Sequence, residues 1–366
     1  MRFILPREAL LKPLQQVVGV VERRQTLPVL SNLLVSVSGD EVSFTGTDLE
    51  VEMVARTAAE NAQDGEVTIP ARKLFDICRA LPDGAKVKIE QSGERVSVSA
   101  GRSRFTLSTL PASEFPVIDS IDLVERFSLP EATLKDLIGR TAFAMAHQDV
   151  RYYLNGLLLD VREEVLRCVA TDGHRLALAE TRLESGVTAR RQIIIPRKGV
   201  LELQGLFEAG EGQVELEVGR NHLRLRRAGV TFTSKLIDGR FPDYEAVIPI
   251  GADKDVRVGR DEFRSALQRA AILSNEKYRG VKLEVNPNRL RIVAHNPEQE
   301  EAVEELEVNT TVEDLSVGFN VNYLMDALAA LNGEEIVISL RDAQSSCLLR
   351  KVDSDETRHV VMPLRL

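Results

Sequence analysis

The stretch RFILPREAL (residues 2–10) returns as RFSLPEATL at 126–134, with Arg, Phe, Leu, Pro and Leu at matching places. Phe3 and Phe127 lie 124 residues apart, and the agreement runs on past them. Phe3 stands 44 residues before Thr47 of TGTDLE, and Phe127 stands 44 before Thr171 of VATDGH. TIPARKL (68–74) is answered by IIPRKGVL (194–201), and FTLSTLPASEFPVID (105–119) by FTSKLIDGRFPDYEAV (232–247). Matches of this length, in the same order, mark duplicated domains. A third copy is fainter. VRVGRDEF (256–263) keeps the apolar positions of FSLPEATL, VGFNVNYL (317–324) stands where VTIPARKL stands, and VVMPLRL (360–366) closes the chain as a strand. The copies divide the chain at about 1–121, 122–250 and 251–366.

A finer period sits inside each copy. An apolar residue, then usually Pro, then a second apolar residue four positions on, occurs at Leu5-Pro6, Ile69-Pro70, Leu129-Pro130, Ile195-Pro196, Val258-Gly259 and Phe319-Asn320. The second members are 64, 60, 66, 63 and 61 residues apart. Proline opens helices at no hydrogen-bonding cost and asparagine caps them, so each instance predicts a strand ending and a helix beginning. Helices are expected over 7–24, 70–81, 131–153, 195–210, 259–280 and 320–333. The first supports this, with Leu10, Leu11, Leu14, Val17, Val18 and Val21 on one face and Lys12, Gln16, Gly19 and Arg23 on the other. After each helix the chain alternates apolar and polar residues, with Gly and Asp at the turns, as antiparallel strands do. The fold class is therefore α+β, with two helices and antiparallel sheets in each of three tandem copies.

The chain has 366 residues, 43% of them apolar, enough to bury an ordinary core. No run of about 18 apolar residues is present, so no membrane span is expected. The start MRFILPREALLKPLQ interrupts with Pro and charge the apolar stretch that a signal peptide needs. Cys78, Cys168 and Cys347 are odd in number and far apart, and are expected as buried free thiols in a reducing cytosol. The net charge of −9 argues against nucleic-acid binding, but it is unevenly spread. The six expected helices carry +2, +2, 0, 0, +2 and −1, leaving −14 for the remaining residues. The ends differ as well. HNPEQEEAVEELE (295–307) has six Glu and no Lys or Arg, whereas GERVSVSAGRSRF (93–105) sets Arg95, Arg102 and Arg104 against Glu94 alone. An acidic last copy and a basic first copy favour head-to-tail association, which gives a ring if the rotation closes.

Catalysis is not expected. Asp172 and His174 in TDGHR have no Ser or Cys motif beside them, and the five histidines lack metal-ligand spacing. GEGQVELEVG lacks the third glycine of a dinucleotide loop and runs into a strand. Neither a metal nor another cofactor is expected.

The sequence resembles the bacterial β sliding clamps, the processivity factors (beta subunits) of the replicative DNA polymerase III. The resemblance runs over the whole length through TLPVLSNLL (26–34), FTGTDLE, MAHQDVRYYLNG (145–156), VATDGHRLA (169–177), FTSKLIDGRFPDY (232–244), AAILSNEKYRG (270–280), NPEQEEA (296–302) and VVMPLRL. It implies three tandem clamp domains forming half of a closed ring, which a second copy completes head to tail. It implies double-stranded DNA passing through the hole without sequence preference, in a cytoplasmic, nucleoid-associated protein. Client proteins would be the replicative DNA polymerase, the clamp loader, translesion and repair polymerases and mismatch-repair proteins, each bound through a short linear peptide.

Carried over by position, the resemblance assigns DNA contacts to Arg24, Arg72, Arg79, Gln148, Arg151, Tyr152, Tyr153, Arg197 and Lys198. It assigns a client-peptide pocket to Leu154, Thr171, Gly173, His174, Arg175, Leu176, Pro242, Val247, Ser346, Val360, Val361, Met362, Pro363, Leu364 and Arg365. Two departures, Ala246 where some relatives carry Arg and Leu364 in place of Met, are expected to tune peptide preference. The ring-closing contact would join Phe105 and Leu107 to Ile272 and Leu273, with Arg95, Arg102 and Arg104 facing Glu298, Glu300, Glu301 and Glu304. The alternative is a peptide-binding scaffold that uses the same repeat without encircling DNA.

Overall fold

The computed structural model describes residues 1–22, 27–118, 120–187, 189–207 and 212–365. Six α-helices are present among them: α1 (Arg7–Val18), α2 (Ala71–Ala80), α3 (Glu131–Gly139), α4 (Arg197–Leu206), α5 (Arg260–Ala270) and α6 (Val321–Ala330). Each begins at one of the six repeated corners. The prolines and Gly259 stand at the residue before the first helical one, and Asn320 caps α6 by accepting the N–H groups of Asn322 (2.9 Å) and Tyr323 (3.4 Å).

The helices are shorter than their apolar periodicity predicts, and local side-chain chemistry explains where they stop. Past α3, the Thr141 hydroxyl donates back to the Leu137 carbonyl (2.7 Å). Asn155 then ties Asp149 at both ends, accepting its N–H and donating to its carbonyl (2.9 and 2.8 Å). These bonds offer the backbone an alternative to α-helix, so residues 140–153 form turns and the short 3₁₀ segments Ala142–Ala144 and Tyr152–Leu154. Past α5, the Asn275 side chain accepts from the N–H groups of Lys277 and Tyr278 (2.9 and 3.1 Å) and makes another such turn. With these bounds the helices sum to +3, less than the +5 of the longer spans.

The chain folds into two compact units. The first, residues 1–132 and 198–236, holds a five-stranded sheet in the order Glu60–Gln63, Arg2–Pro6, Lys86–Ser92, Arg95–Ala100, Ser103–Ser108. Its second sheet has eight strands: Leu123–Pro130, Gln213–Gly219, His222–Arg227 and Val230–Lys235 from the second copy, then Val51–Ala58, Glu41–Thr47, Asn32–Ser38 and Gly65–Pro70 from the first. The two sets join where Phe232 pairs with Met53 and Val230 with Ala55.

The second unit, residues 133–197 and 237–366, repeats this plan one copy further on. Its eight-stranded sheet runs Arg191–Pro196, Gly156–Val161, Val165–Thr171, Arg175–Arg182, Thr357–Val361, Cys347–Lys351, Glu335–Leu340, Lys254–Gly259, joined where Arg175 pairs with Val361 and Leu178 with Arg358. A four-stranded sheet, Glu301–Glu307, Arg289–His295, Gly280–Asn286, Leu315–Asn320, completes it. Phe263, Leu267, Leu324 and Leu328 from α5 and α6 bury against the inward strand residues Val281, Leu283, Ile292 and Val317. All three cysteines are free and buried, and burial pushes each thiol up to about 12. No helix among the described residues is long and apolar enough to cross a membrane.

Candidate functional site

The turn between Val165–Thr171 and Arg175–Arg182 is built by two short polar side chains. The Thr171 hydroxyl donates to the Arg175 carbonyl (2.6 Å) and accepts the Gly173 N–H (3.1 Å). Asp172 Oδ1 accepts the N–H groups of His174 (2.9 Å) and Arg175 (3.1 Å). Gly173 sits at φ +88°, the left-handed region that favours glycine, and a Cβ there would lie 2.8 Å from a guanidinium nitrogen of Arg151 and displace that side chain. The duplicate turn 124 residues earlier makes the same four bonds, Thr47 to Val51 O and Leu49 N, and Asp48 to the N–H groups of Glu50 and Val51. There Leu49 holds the positive φ, +76°.

Beside the Thr171–Arg175 turn lies a cavity of about 190 Å³. Its walls are Arg151, Tyr153 and Leu154 from the chain before Gly156, Thr171, Gly173, Arg175 and Leu176 from the turn, Pro242, Tyr244 and Val247 from the connection after Lys235, Val360 from the terminal strand and Met362 just past it. Leu176, Tyr244 and Val360 of this lining belong to a buried apolar cluster with Leu158, Val169, Leu178, Ile194 and Phe241. An apolar hollow with a few fixed polar groups suits an aliphatic or aromatic anchor from a peptide, and Met362 supplies an adaptable wall.

Three charged arrangements hold these walls. Arg175 donates to Asp172 (3.1 Å), Asp326 (2.6 Å) and the Phe143 carbonyl (3.0 Å), with its guanidinium 4.5 Å from the Tyr323 ring centre and 5.4 Å from that of Phe143. Arg151 grips Asp149 with two nitrogens (3.0 and 2.8 Å) and so holds that carboxyl down at about 2. The Tyr244 hydroxyl donates to the fully buried Asp160 (2.6 Å), which also receives Arg190 (2.7 Å) and Arg162 (3.2 Å). Burial pushes the Asp160 pKa up, but the bonds from Arg190, Tyr244 and Arg162 outweigh it, and the carboxyl ends below its ordinary range.

Next to Val360, His359 is buried, its Nε2 3.0 Å from the Arg140 carbonyl and its ring edge-on to Phe143 at 5.2 Å. Burial outweighs the carbonyls of Arg140 and Ala327 and takes its pKa down to about 4. An unfolded histidine titrates near 6.5, so between pH 6.5 and 4 only the unfolded chain takes up the proton. That costs the fold about 3 kcal/mol across the window, stability being full above pH 6.5 and falling as the pH drops. Urea unfolding at pH 7 and pH 5 should show the loss, and His359→Asn should flatten it.

Of the residues assigned to the peptide pocket, Leu154, Thr171, Gly173, Arg175, Leu176, Pro242, Val247, Val360 and Met362 line this cavity. His174 is exposed at its rim, its carbonyl accepting the Met362 N–H (2.9 Å). Val361 is buried in the other apolar cluster, and Ser346 and Pro363 are half-buried. Leu364 and Arg365 line a different cavity, of about 610 Å³, with Asn275, Tyr278, Gly280, Lys282, Val293 and His295. Tyr244, absent from that assignment, is signalled by FPDY: a tyrosine in an apolar segment needs a partner for its hydroxyl.

The residues assigned to DNA are dispersed among several local roles. Arg24 lies outside the described residues. Arg72 donates to the Val21 carbonyl (2.8 Å) and Arg197 to that of Met145 (3.3 Å). Arg79 pairs with Asp76 (3.0 Å) beside the Phe75 ring. Lys198 is gripped by Asp48 and by Glu22 (2.7 Å). Gln148 is exposed at φ +57°. Arg151 and Tyr153 line the cavity, while Tyr152, 57% exposed, stands edge-on to Tyr153 at 5.8 Å.

The residues assigned to ring closure lie at two sheet margins. Among the described residues, Ser103–Ser108 pairs with Arg95–Ala100 on one side only, and Glu301–Glu307 with Arg289–His295 on one side only. Arg95, Arg102, Arg104 and Phe105 are exposed at the first margin, with Leu107 turned in. At the second, Glu298, Glu300 and Glu301 are exposed, and Glu304 receives Arg269 (2.6 Å). Ile272 is 77% exposed and Leu273 half-buried. Asp172 is engaged by Arg175 and two backbone N–H groups. Among the described residues no group of three or more His, Cys, Asp or Glu is placed to hold a metal.

Three family models match the chain in succession, the N-terminal, central and C-terminal domains of the DNA polymerase III beta subunit, over residues 1–119, 128–243 and 245–365. Over all of both chains it is 52% identical to the beta sliding clamp of Pseudomonas aeruginosa and 50% identical to that of Escherichia coli. The crystal structure of the P. aeruginosa DNA polymerase III subunit beta matches with a TM-score of 0.98 at 52% identity, covering both chains fully. A P. aeruginosa clamp bound to griselimycin matches equally well, and Caulobacter crescentus pol III beta matches at 0.94 and 42%, again over both full chains.

Proposed function

The chain belongs to the DNA polymerase III beta-subunit family, the beta sliding clamps, and on that premise we propose how its surfaces divide the work. It is a DNA sliding clamp of replication, built of three tandem clamp domains, placed at 1–121, 122–250 and 251–366. Two copies close head to tail around duplex DNA, the Ser103–Ser108 margin of each against the Glu301–Glu307 margin of the other. The observation that carries this is the pair of open strand edges with opposite charge. One carries Arg95, Arg102, Arg104 and an exposed Phe105; the other carries Glu298, Glu300, Glu301 and Glu304 beside an exposed Ile272. An open edge with exposed apolar side chains invites pairing, and the charges choose which edge it pairs with.

DNA is held by topology. Arg24, Arg72, Arg79, Gln148, Arg151, Tyr152, Tyr153, Arg197 and Lys198 meet phosphate and exposed bases, and several are already tied to carboxylates or carbonyls of the chain, which keeps each contact weak and exchangeable. Weak contacts suit a ring that slides. The protein does no catalysis itself and works in the cytoplasm. Its clients, the replicative polymerase, clamp loader, translesion and repair polymerases and mismatch-repair proteins, enter through short peptides whose apolar anchors fill the cavity beside Arg175 and Met362. Griselimycin serves as a probe of that cavity.

The test is retention. Loaded onto nicked circular DNA, the protein should co-elute with the circle and sediment as a dimer when free. Linearising the DNA should release it. Protein that stays on linear DNA with open ends, or that never dimerises, would be a peptide-binding scaffold and no clamp.

A further inference from the structure

We infer that Asp326 and Tyr323 of α6 are positioning residues for the peptide cavity, fixing Arg175 as one of its walls; this rests on the cavity taking a client peptide. The guanidinium of Arg175 is pinned on every nitrogen. Nε goes to Asp172 (3.1 Å), one terminal nitrogen to Asp326 (2.6 Å) and the other to the Phe143 carbonyl (3.0 Å). Asp172 and Phe143 belong to the second copy, as Arg175 does. Asp326 and Tyr323 come from the third, and with Tyr323 4.5 Å from the guanidinium they are what α6 adds to this wall. The helix is itself fixed at its start, where the Asn320 cap takes the Tyr323 N–H (3.4 Å). With its donors directed to these partners, Arg175 leaves the cavity an apolar hollow; released, a mobile guanidinium would enter it and demand solvation.

The duplicated junction in the first unit shows that the turn does not itself require this arrangement. There Asp48 stands for Asp172 and Glu202 for Asp326, each 124 residues earlier, and the position of Arg175 is the buried Val51. The cation comes instead from α4, where Lys198 grips Asp48. The fold can therefore secure this turn with a helix cation and no arginine. Where the cavity is, the cation sits on the cavity wall and the helix supplies the carboxylate that orients it.

The full-length protein is titrated with griselimycin by calorimetry. Asp326→Asn, which keeps shape and removes charge, should weaken binding by roughly 10-fold, as expected for losing a charge-assisted hydrogen bond that positions the wall. Asp326→Glu should restore most of the affinity, and Tyr323→Phe should retain it where Tyr323→Ala loses it. In the background of Arg175→Ala, Asp326→Asn should add nothing further. Dimer sedimentation, which uses the two strand edges and not the cavity, should stay unchanged in all of them. Wild-type affinity in Asp326→Asn, or no rescue by Asp326→Glu, overturns the positioning role. A wild-type protein that does not bind griselimycin overturns the cavity assignment itself and the inference with it.

Discussion

A chain that ends at Val361 is expected to lose client-peptide affinity by about 100-fold while still sedimenting as a dimer. The terminal strand survives the cut, because Val360 stays paired with Leu176 and Val361 with Arg175 and Cys347. What goes is the wall beyond it. Met362 lines the cavity, and the segment is held in place by its N–H to the His174 carbonyl (2.9 Å) and by the Leu364 N–H to the Gly318 carbonyl (2.8 Å). Burying an apolar side chain of this size against a ligand contributes about 1.5–3 kcal/mol, which is roughly 10- to 150-fold in affinity. Met362→Ala alone should fall at the low end, since the backbone of the segment remains. The strand edges assigned to ring closure, Ser103–Ser108 and Glu301–Glu307, lie in the five- and four-stranded sheets and do not use these residues. Titration of a fluorescent peptide carrying Leu and Phe anchors, with sedimentation in parallel, separates the two effects. Unchanged peptide affinity would place the client site elsewhere.

Much of this organisation was legible because the repeat preserves chemistry as well as pattern. Thr47-Asp48 and Thr171-Asp172 sit at the same distance from Phe3 and Phe127 and make the same four hydrogen bonds. A turn defined by side-chain bonds within five residues is a local object, and local objects are what a sequence states directly. The six helix starts were legible for the same reason. The sheets were not. That Val230–Lys235 pairs with Val51–Ala58, merging two copies into one eight-stranded sheet, is a contact across more than 170 residues, and alternation tells a strand's faces without telling its neighbour. Helix lengths were misjudged where Asn155, Asp149 and Asn275 take over backbone bonds that apolar spacing cannot see. The exchange of Lys198 for Arg175 at duplicate junctions needed coordinates too, because the two cations occupy unrelated positions in the repeat.

The largest loss of stability from a single side chain is expected at Asp160. Its carboxylate is fully buried and receives Arg190, Arg162 and the Tyr244 hydroxyl, while Arg162 and Arg167 continue outward to Glu245 (2.7 and 2.6 Å). Replacing it with alanine leaves two guanidinium groups and a buried phenol facing the space it occupied, and removing one partner of a buried charge network costs about 3–5 kcal/mol. For a unit of this size that corresponds to a melting point lower by about 10 °C. Arg190→Ala should cost far less, about 1 kcal/mol, because its side chain is 44% exposed and solvent screens the pair. The pH dependence has a definite sign. The folded carboxyl titrates below its ordinary value, so its contribution is complete above the unfolded pKa near 4 and disappears as the pH falls through the folded one. The gap in melting temperature between wild type and Asp160→Ala should therefore be widest near neutrality and narrow on acidification below about pH 4. Tyr244 carries the effect into the cavity. Without Asp160 the Tyr244 hydroxyl keeps longer bonds, from Arg162 and Arg167 (3.3 Å each), so the ring on the cavity wall is held less firmly, and Asp160→Ala should weaken griselimycin even at temperatures where the variant is fully folded. Calorimetric melts at pH 7 and at about pH 2.5, below the ordinary carboxylate pKa, with a titration at 15 °C, check both consequences. A variant that melts with wild type would mean that the arginines find other partners and that the buried carboxylate holds nothing in place.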